Sequence, residues 1–161
     1  SDVYKRQWFE CKIRYEKVME NGMQKKVTEP YLVDALSFTE AEARIIEEMT
    51  PFISGEFTVS DIKRANYSEL FPSDEESADR WFKCKLIFIT LDEKSGAEKK
   101  TSTQVLVQAA DLRDAVKKLD EGMKGTMADY QIGMVSETPL MDVYPYSAEP
   151  NDKPEFDPSK A

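Results

Sequence analysis

Apolar and polar residues alternate along two stretches of this chain, and each alternation gives way to a helical period before resuming. From Trp8 onward, Phe9, Cys11, Ile13 and Tyr15 take one side of an extended segment, and Trp8, Glu10, Lys12 and Arg14 take the other. A turn at Asn21-Gly22, a dipeptide that favours hairpins, leads to a returning strand with Tyr31, Val33 and Ala35 on the apolar side. The period then changes. Ala41, Ile45, Ile46 and Met49 form a stripe at helical spacing, and Glu40, Glu42, Glu47 and Glu48 turn to water. Thr39 is placed to cap this helix with Glu42 reaching back, and Pro51 marks its end. A long strand from about Glu56 to Phe71 completes the unit. It predicts a bend near Ser60-Asp61, because strands of that length do not stay flat.

The same order then recurs. Trp81-Phe82-Lys83-Cys84-Lys85-Leu86 repeats Trp8-Phe9-Glu10-Cys11-Lys12-Ile13, and Gly96 with Lys99-Lys100 answers Gly22 with Lys25-Lys26. Val105, Val107 and Ala109 line the second returning strand. Asp111 is the predicted cap of a helix carrying Leu112, Ala115, Val116 and Leu119, which stops at Gly122. The last strand runs from about Asp129 to Tyr144, with a bend near Thr138-Pro139. The pattern predicts an α+β protein with a duplicated ββαβ unit, over 8–72 and 81–146, joined by an acidic connector at 73–80. One such unit has too little apolar surface to stand alone. The two therefore predict one integrated domain, a pseudo-twofold antiparallel sheet with both helices packed on one face. Residues 147–161 hold Pro150, Pro154 and Pro158, with Phe156 as their large apolar residue, and predict a disordered acidic tail. Its Phe156-Asp157-Pro158 end suits either a solubilising or a docking role.

Composition narrows the function without naming it. Hydrophobic residues at 40% and charged residues at 33% suit a folded soluble chain. A formal net charge of −9 argues against coating nucleic acid by bulk charge, though not against a local basic groove. No apolar run approaches a membrane span and no secretion signal is evident, which predicts a cytoplasmic protein without a membrane partner. Histidine is absent, removing the usual general base near neutral pH and the commonest zinc ligand. Six scattered glycines make no phosphate-cradling loop. Cys11 and Cys84 occupy matching apolar positions and read as small buried hydrophobes, a disulfide requiring their strands to meet. The helix carboxylates read as a solvated face, and the position matching Glu42 is Val116, so no acid pair is duplicated. The chain is accordingly read as no enzyme, with no catalytic, metal-binding or cofactor-binding residues and no cofactor.

Trp8, Lys12, Arg14, Trp81, Lys83 and Lys85 form the candidate site. They share the strand faces opposite the apolar ones, where aromatic rings among basic residues could stack bases and track phosphates of single-stranded nucleic acid. The plainer alternative has each Trp covering a sheet edge or the rim of the core, with the lysines solvated. The leading function is a binding or protein-interaction module for an unknown protein partner, working through the outer sheet face or free edge strands, and compatible with a homodimer. A single-stranded nucleic-acid module is the alternative.

Two resemblances add to this. Residues Asp2-Val3-Tyr4-Lys5-Arg6-Gln7 are similar to the translated end of a transposon sequence used to tag DNA for sequencing, which marks 1–7 as an artefactual extension. The pattern Trp-Phe-x-Cys-Lys followed by Ser37-Phe38-Thr39-Glu40-Ala41-Glu42-Ala43 and then the repeat resembles an uncharacterised family of small proteins from Bacteroidales bacteria and their phages or mobile elements. The resemblance spans Trp8 to Tyr146 and implies a small cytoplasmic or phage-encoded protein. It carries no assigned catalytic residues.

Overall fold

The alternation over residues 7–35 forms a hairpin in full register. β1 (Gln7–Val18) pairs antiparallel with β2 (Gln24–Ala35), from Gln7 opposite Ala35 to Val18 opposite Gln24. Gly22 turns the chain at φ 84°, a left-handed conformation open to a residue without Cβ. β5 (Arg80–Leu91) and β6 (Glu98–Ala109) repeat the hairpin in the second half. The structure, a computed structural model, describes residues 5–146. The predicted acidic tail at 147–161 and the first four residues of the predicted extension lie outside the described residues. Gln7 already belongs to β1, one residue before the predicted start.

A helix follows each hairpin. α1 (Phe38–Met49) lays Ala41, Ile45 and Met49 against Phe9, Cys11, Ile13, Tyr31, Val33 and Ala35. α2 (Leu112–Gly122) does the same with Ala115 and Leu119 against Phe82, Cys84, Leu86, Val105, Val107 and Ala109. Asp111 caps α2 as predicted, accepting the Asp114 N–H at 2.9 Å. The cap of α1 is Ser37, not Thr39. Its Oγ accepts the Glu40 N–H at 3.1 Å, and Glu40 Oε1 accepts the Leu36 N–H at 2.6 Å. Starting the helix earlier also sets Phe38 edge-on to Phe9, with ring centroids 4.9 Å apart. Ser37 and Asp111 are equivalent positions, so aligning the two copies locates the cap that the local motif misplaces.

The predicted long closing strand is two strands in each copy. β3 (Phe57–Ala65) pairs with β1, with the predicted irregularity at Ser60, where the register slips between Lys12 and Ile13. β7 (Tyr130–Glu137) pairs with β5 and slips at Gly133, the position equivalent to Ser60. The bend predicted near Thr138-Pro139 falls where β7 ends and the chain turns toward the other sheet. The chain then leaves its own sheet. β4 (Glu69–Phe71) joins the second hairpin, parallel to β6, and β8 (Asp142–Tyr144) joins the first, parallel to β2.

The result is two four-stranded mixed sheets, ordered β3-β1-β2-β8 and β4-β6-β5-β7, in place of the single antiparallel sheet expected. Each sheet carries one helix on its outer side, so the two helices do not share a face. Chain reach explains why β4 crosses. To pair with its own β2, β4 would have to move three strand spacings sideways, about 14 Å, and about 10 Å back along the strand, from the level of Asp34 to that of Tyr31. The four Cα steps from Ala65 to Glu69 reach at most about 14 Å, short of the roughly 17 Å diagonal. The neighbouring sheet is accessible, and the exchange is reciprocal, as a pseudo-twofold requires. Among the described residues no helix is long and apolar enough to cross a membrane.

Candidate functional site

The strand faces turned away from the helices meet in a seam. Leu32 lies between Tyr31 and Val33 on β2 and so points the other way, where it clusters with Leu106, Trp81, Leu140 and Val143. Trp8, Ala65, Tyr67 and Leu70 pack against this cluster. Thr138, just past β7, donates both its N–H and its hydroxyl to the Trp81 carbonyl at 2.9 Å, holding the strand end over the seam.

This placement corrects one premise of the nucleic-acid reading. Trp81 is 5% exposed and Trp8 half-buried, because the face they occupy is the inside of a two-sheet layer. Lys12 and Lys83 are half-buried, and Arg14 and Lys85 are exposed further along their strands. Lys12 and Arg14 lie on one sheet and Lys83 and Lys85 on the other. The structure thus joins the two indoles and separates the four cations into two pairs.

Between the indoles is a pocket of about 350 Å³ lined by Trp8, Leu70, Pro72, Trp81, Gln108, Asp142, Val143 and Pro145. Three equivalent pairs contribute to it, Trp8 with Trp81, Leu70 with Val143 and Pro72 with Pro145, which sets it on the pseudo-twofold. It exists because of the exchange, since each leucine or valine and each proline arrives on or just after the strand donated by the other repeat. Gln108 Oε1 accepts the Ser73 N–H at 2.9 Å, and Asp142 Oδ1 accepts the Val143 N–H at 2.8 Å. Asp142 is the charged residue of the lining. The Trp repeat in the sequence signals this site. The repeat also pairs Pro72 with Pro145 and Glu69 with Asp142, but that these segments meet the tryptophans emerges only with the exchanged strands.

A second hollow, of about 650 Å³, opens at the tip of the first hairpin beside Tyr15, Lys17, Val18, Phe52 and Glu56. Behind it lies a buried carboxylate absent from the sequence reading. Glu29 Oε1 accepts the hydroxyls of Tyr15 at 2.9 Å and Tyr31 at 3.1 Å, and Oε2 lies 3.6 Å from Lys17 Nζ. Burial first, and then Glu29, push the Tyr31 hydroxyl well above the usual range. The second repeat has Phe88, Thr103 and Val105 at these positions, so the unit folds without the polar cluster. Of the helix carboxylates, Glu40 is held by the Leu36 N–H and by Arg6 at 2.9 Å, and Glu48 lies 4.0 Å from Arg44.

Cys11 and Cys84 are free thiols, each buried beneath its own helix. Burial pushes Cys11 up to about 12, aided by the charges of Glu10 and Asp61, and Cys84 up to about 11. Both therefore hold their protons more tightly folded than unfolded. Their contribution to stability is complete below the ordinary thiol value of 9.0 and declines as pH rises past it. A thiol-specific reagent at about pH 8 should label the native protein far more slowly than the unfolded chain. Thermal melts should fall steadily above about pH 9. Rapid labelling of the native protein would contradict the burial.

A comparison with curated proteins returned no match. The repeat architecture, with both hairpins, both helices and the exchanged strands that close the pocket, fills the stretch matched by the family model described as Domain of unknown function (DUF4494), residues 7–146, and the chain belongs to that family.

Proposed function

We propose that this protein is a non-enzymatic binding module that seats a side-chain-sized group of a partner protein in the seam pocket. The observation that carries this reading is the pocket itself, built on the pseudo-twofold from matched residues of both repeats and lined by indoles, prolines and aliphatic groups. Such walls favour recognition over chemistry: a reacting centre needs a nucleophile, acid or base in convergent geometry, and this lining offers one carboxylate. Two thiols held unpaired in separate cores support a reducing, cytoplasmic setting. A phage or mobile-element role is carried by the sequence resemblance.

The test compares partner capture by the tagged full chain and by its Trp8→Leu variant, matched for folded fraction. A partner retained by the parent should be reduced at least about tenfold in the variant, and equal capture sinks the reading. The nucleic-acid alternative keeps Arg14 and Lys85 as exposed cations. It would be restored by salt-sensitive anisotropy of labelled single-stranded DNA or RNA that is lost on Arg14→Ala with Lys85→Ala. The acidic chain and the buried Trp81 lead us to expect no such signal.

A further inference from the structure

The seam pocket has a composition that selects among ligands. Both tryptophans of the chain line it, together with Leu70, Val143, Pro72 and Pro145. Its one charged liner is Asp142, and neither lysine nor arginine lines it. An anion would meet a carboxylate there with no cation to offset it. A plain aliphatic group would bury beside that carboxylate and desolvate it without return. A bare ammonium would lose its water to walls poor in acceptors. An alkylated ammonium avoids all three costs. Its methyl groups suit prolines and aliphatic side chains, its diffuse charge is attracted by indole rings, and Asp142 supplies the counter-charge. The pocket, at about 350 Å³, holds such a head group with a short alkyl stem.

We propose that the Trp8–Trp81 pocket binds an alkylated ammonium group, such as a methylated lysine side chain of a partner, with Asp142 as its counter-ion. This deepens the binding-module reading and rests on it.

Because both tryptophans line the pocket, intrinsic fluorescence of the full chain reports its occupancy. The probes are choline and the neutral alcohol in which a tert-butyl group replaces the trimethylammonium, titrated at constant ionic strength. Choline should give a saturable change in tryptophan emission at a midpoint at least about tenfold lower than the alcohol. Asp142→Asn, which keeps the Oδ1 acceptor for the Val143 N–H, should raise the choline midpoint severalfold and leave the alcohol unchanged. Trp8→Leu should remove the choline response. Equal midpoints for the two probes, or indifference to Asp142→Asn, overturn the ammonium assignment while the pocket remains a binding site. No saturable response to either probe overturns the pocket as well.

Discussion

A fragment ending at Pro72, containing the whole first repeat, should not fold as a monomer and should instead form a dimer by reciprocal strand exchange. Two deficits drive this. Without β8 the outer edge of β2 is unpaired and Leu32, fully buried in the intact chain, is uncovered. Without β6 the fragment's own β4 has no partner, and it cannot fold back onto β2 because its linker is too short, as the strand register dictates. Exposing the fully buried Leu32 forfeits about 1.5–3 kcal/mol, and further exposing the partly buried Leu70, Trp8 and Tyr67 adds a smaller amount for each, a sizeable share of the stability of a small domain. A second copy supplies what is missing. Leu70 and Phe71 of one fragment would take the places of Val143 and Tyr144 beside β2 of the other. Circular dichroism and sedimentation over a concentration series should show structure and dimer appearing together. A folded, concentration-independent monomer would show the exchange to be dispensable.

Trp81→Ala should destabilise the protein by about 3–5 kcal/mol, because it empties an indole-sized volume in the seam that Leu32, Leu106, Leu140 and Val143 cannot refill. Trp8→Ala, at the half-buried equivalent position, should cost only roughly 1–2 kcal/mol. Denaturant melts measure both. The difference matters for function, since a base-stacking surface would make both substitutions nearly silent in stability and costly in binding alone. A silent Trp81→Ala would return the indole to the surface and reopen the nucleic-acid reading. It also follows that Trp8, and not Trp81, is the side chain to alter when ligand binding is the readout.

Much of this fold is legible along the chain because its determinants are local. The β1–β2 and β5–β6 hairpins follow from alternation and from the Asn21-Gly22 turn with its counterpart at Gly96, and the helices from a change of period. Cys11 and Cys84 fall in the cores for the same reason. Local motifs can still compete. Ser37-x-x-Glu40 and Thr39-x-x-Glu42 are the same capping signal two residues apart, and the packing of Phe38 on Phe9 accompanies the earlier start. The Glu29 cluster illegibly resembles a strand position that alternation assigns to the core, a position where charge is unfavourable. It becomes intelligible only when Tyr15 and Tyr31 are seen to donate to it.

The site was half visible. Equivalent positions for Trp8 and Trp81 follow from the repeat, and so does their sharing a strand face. Which medium that face meets is a different matter, because alternation distinguishes two sides of a strand without saying whether the second is covered by water or by another sheet. The sequence by itself determined the duplicated unit, its hairpins and helices, and the composition of each helix-side core, all of which rest on contacts within one repeat. Only the tertiary structure decided that the last strand of each repeat crosses to the other, that the sheets number two, and that the tryptophans close a pocket. The physical reason on the β4 side is reach: the three residues between β3 and β4 cannot return β4 to its own hairpin, so the other repeat receives it, and the reciprocal crossing of β8 completes the first sheet and closes the seam proposed as the binding surface.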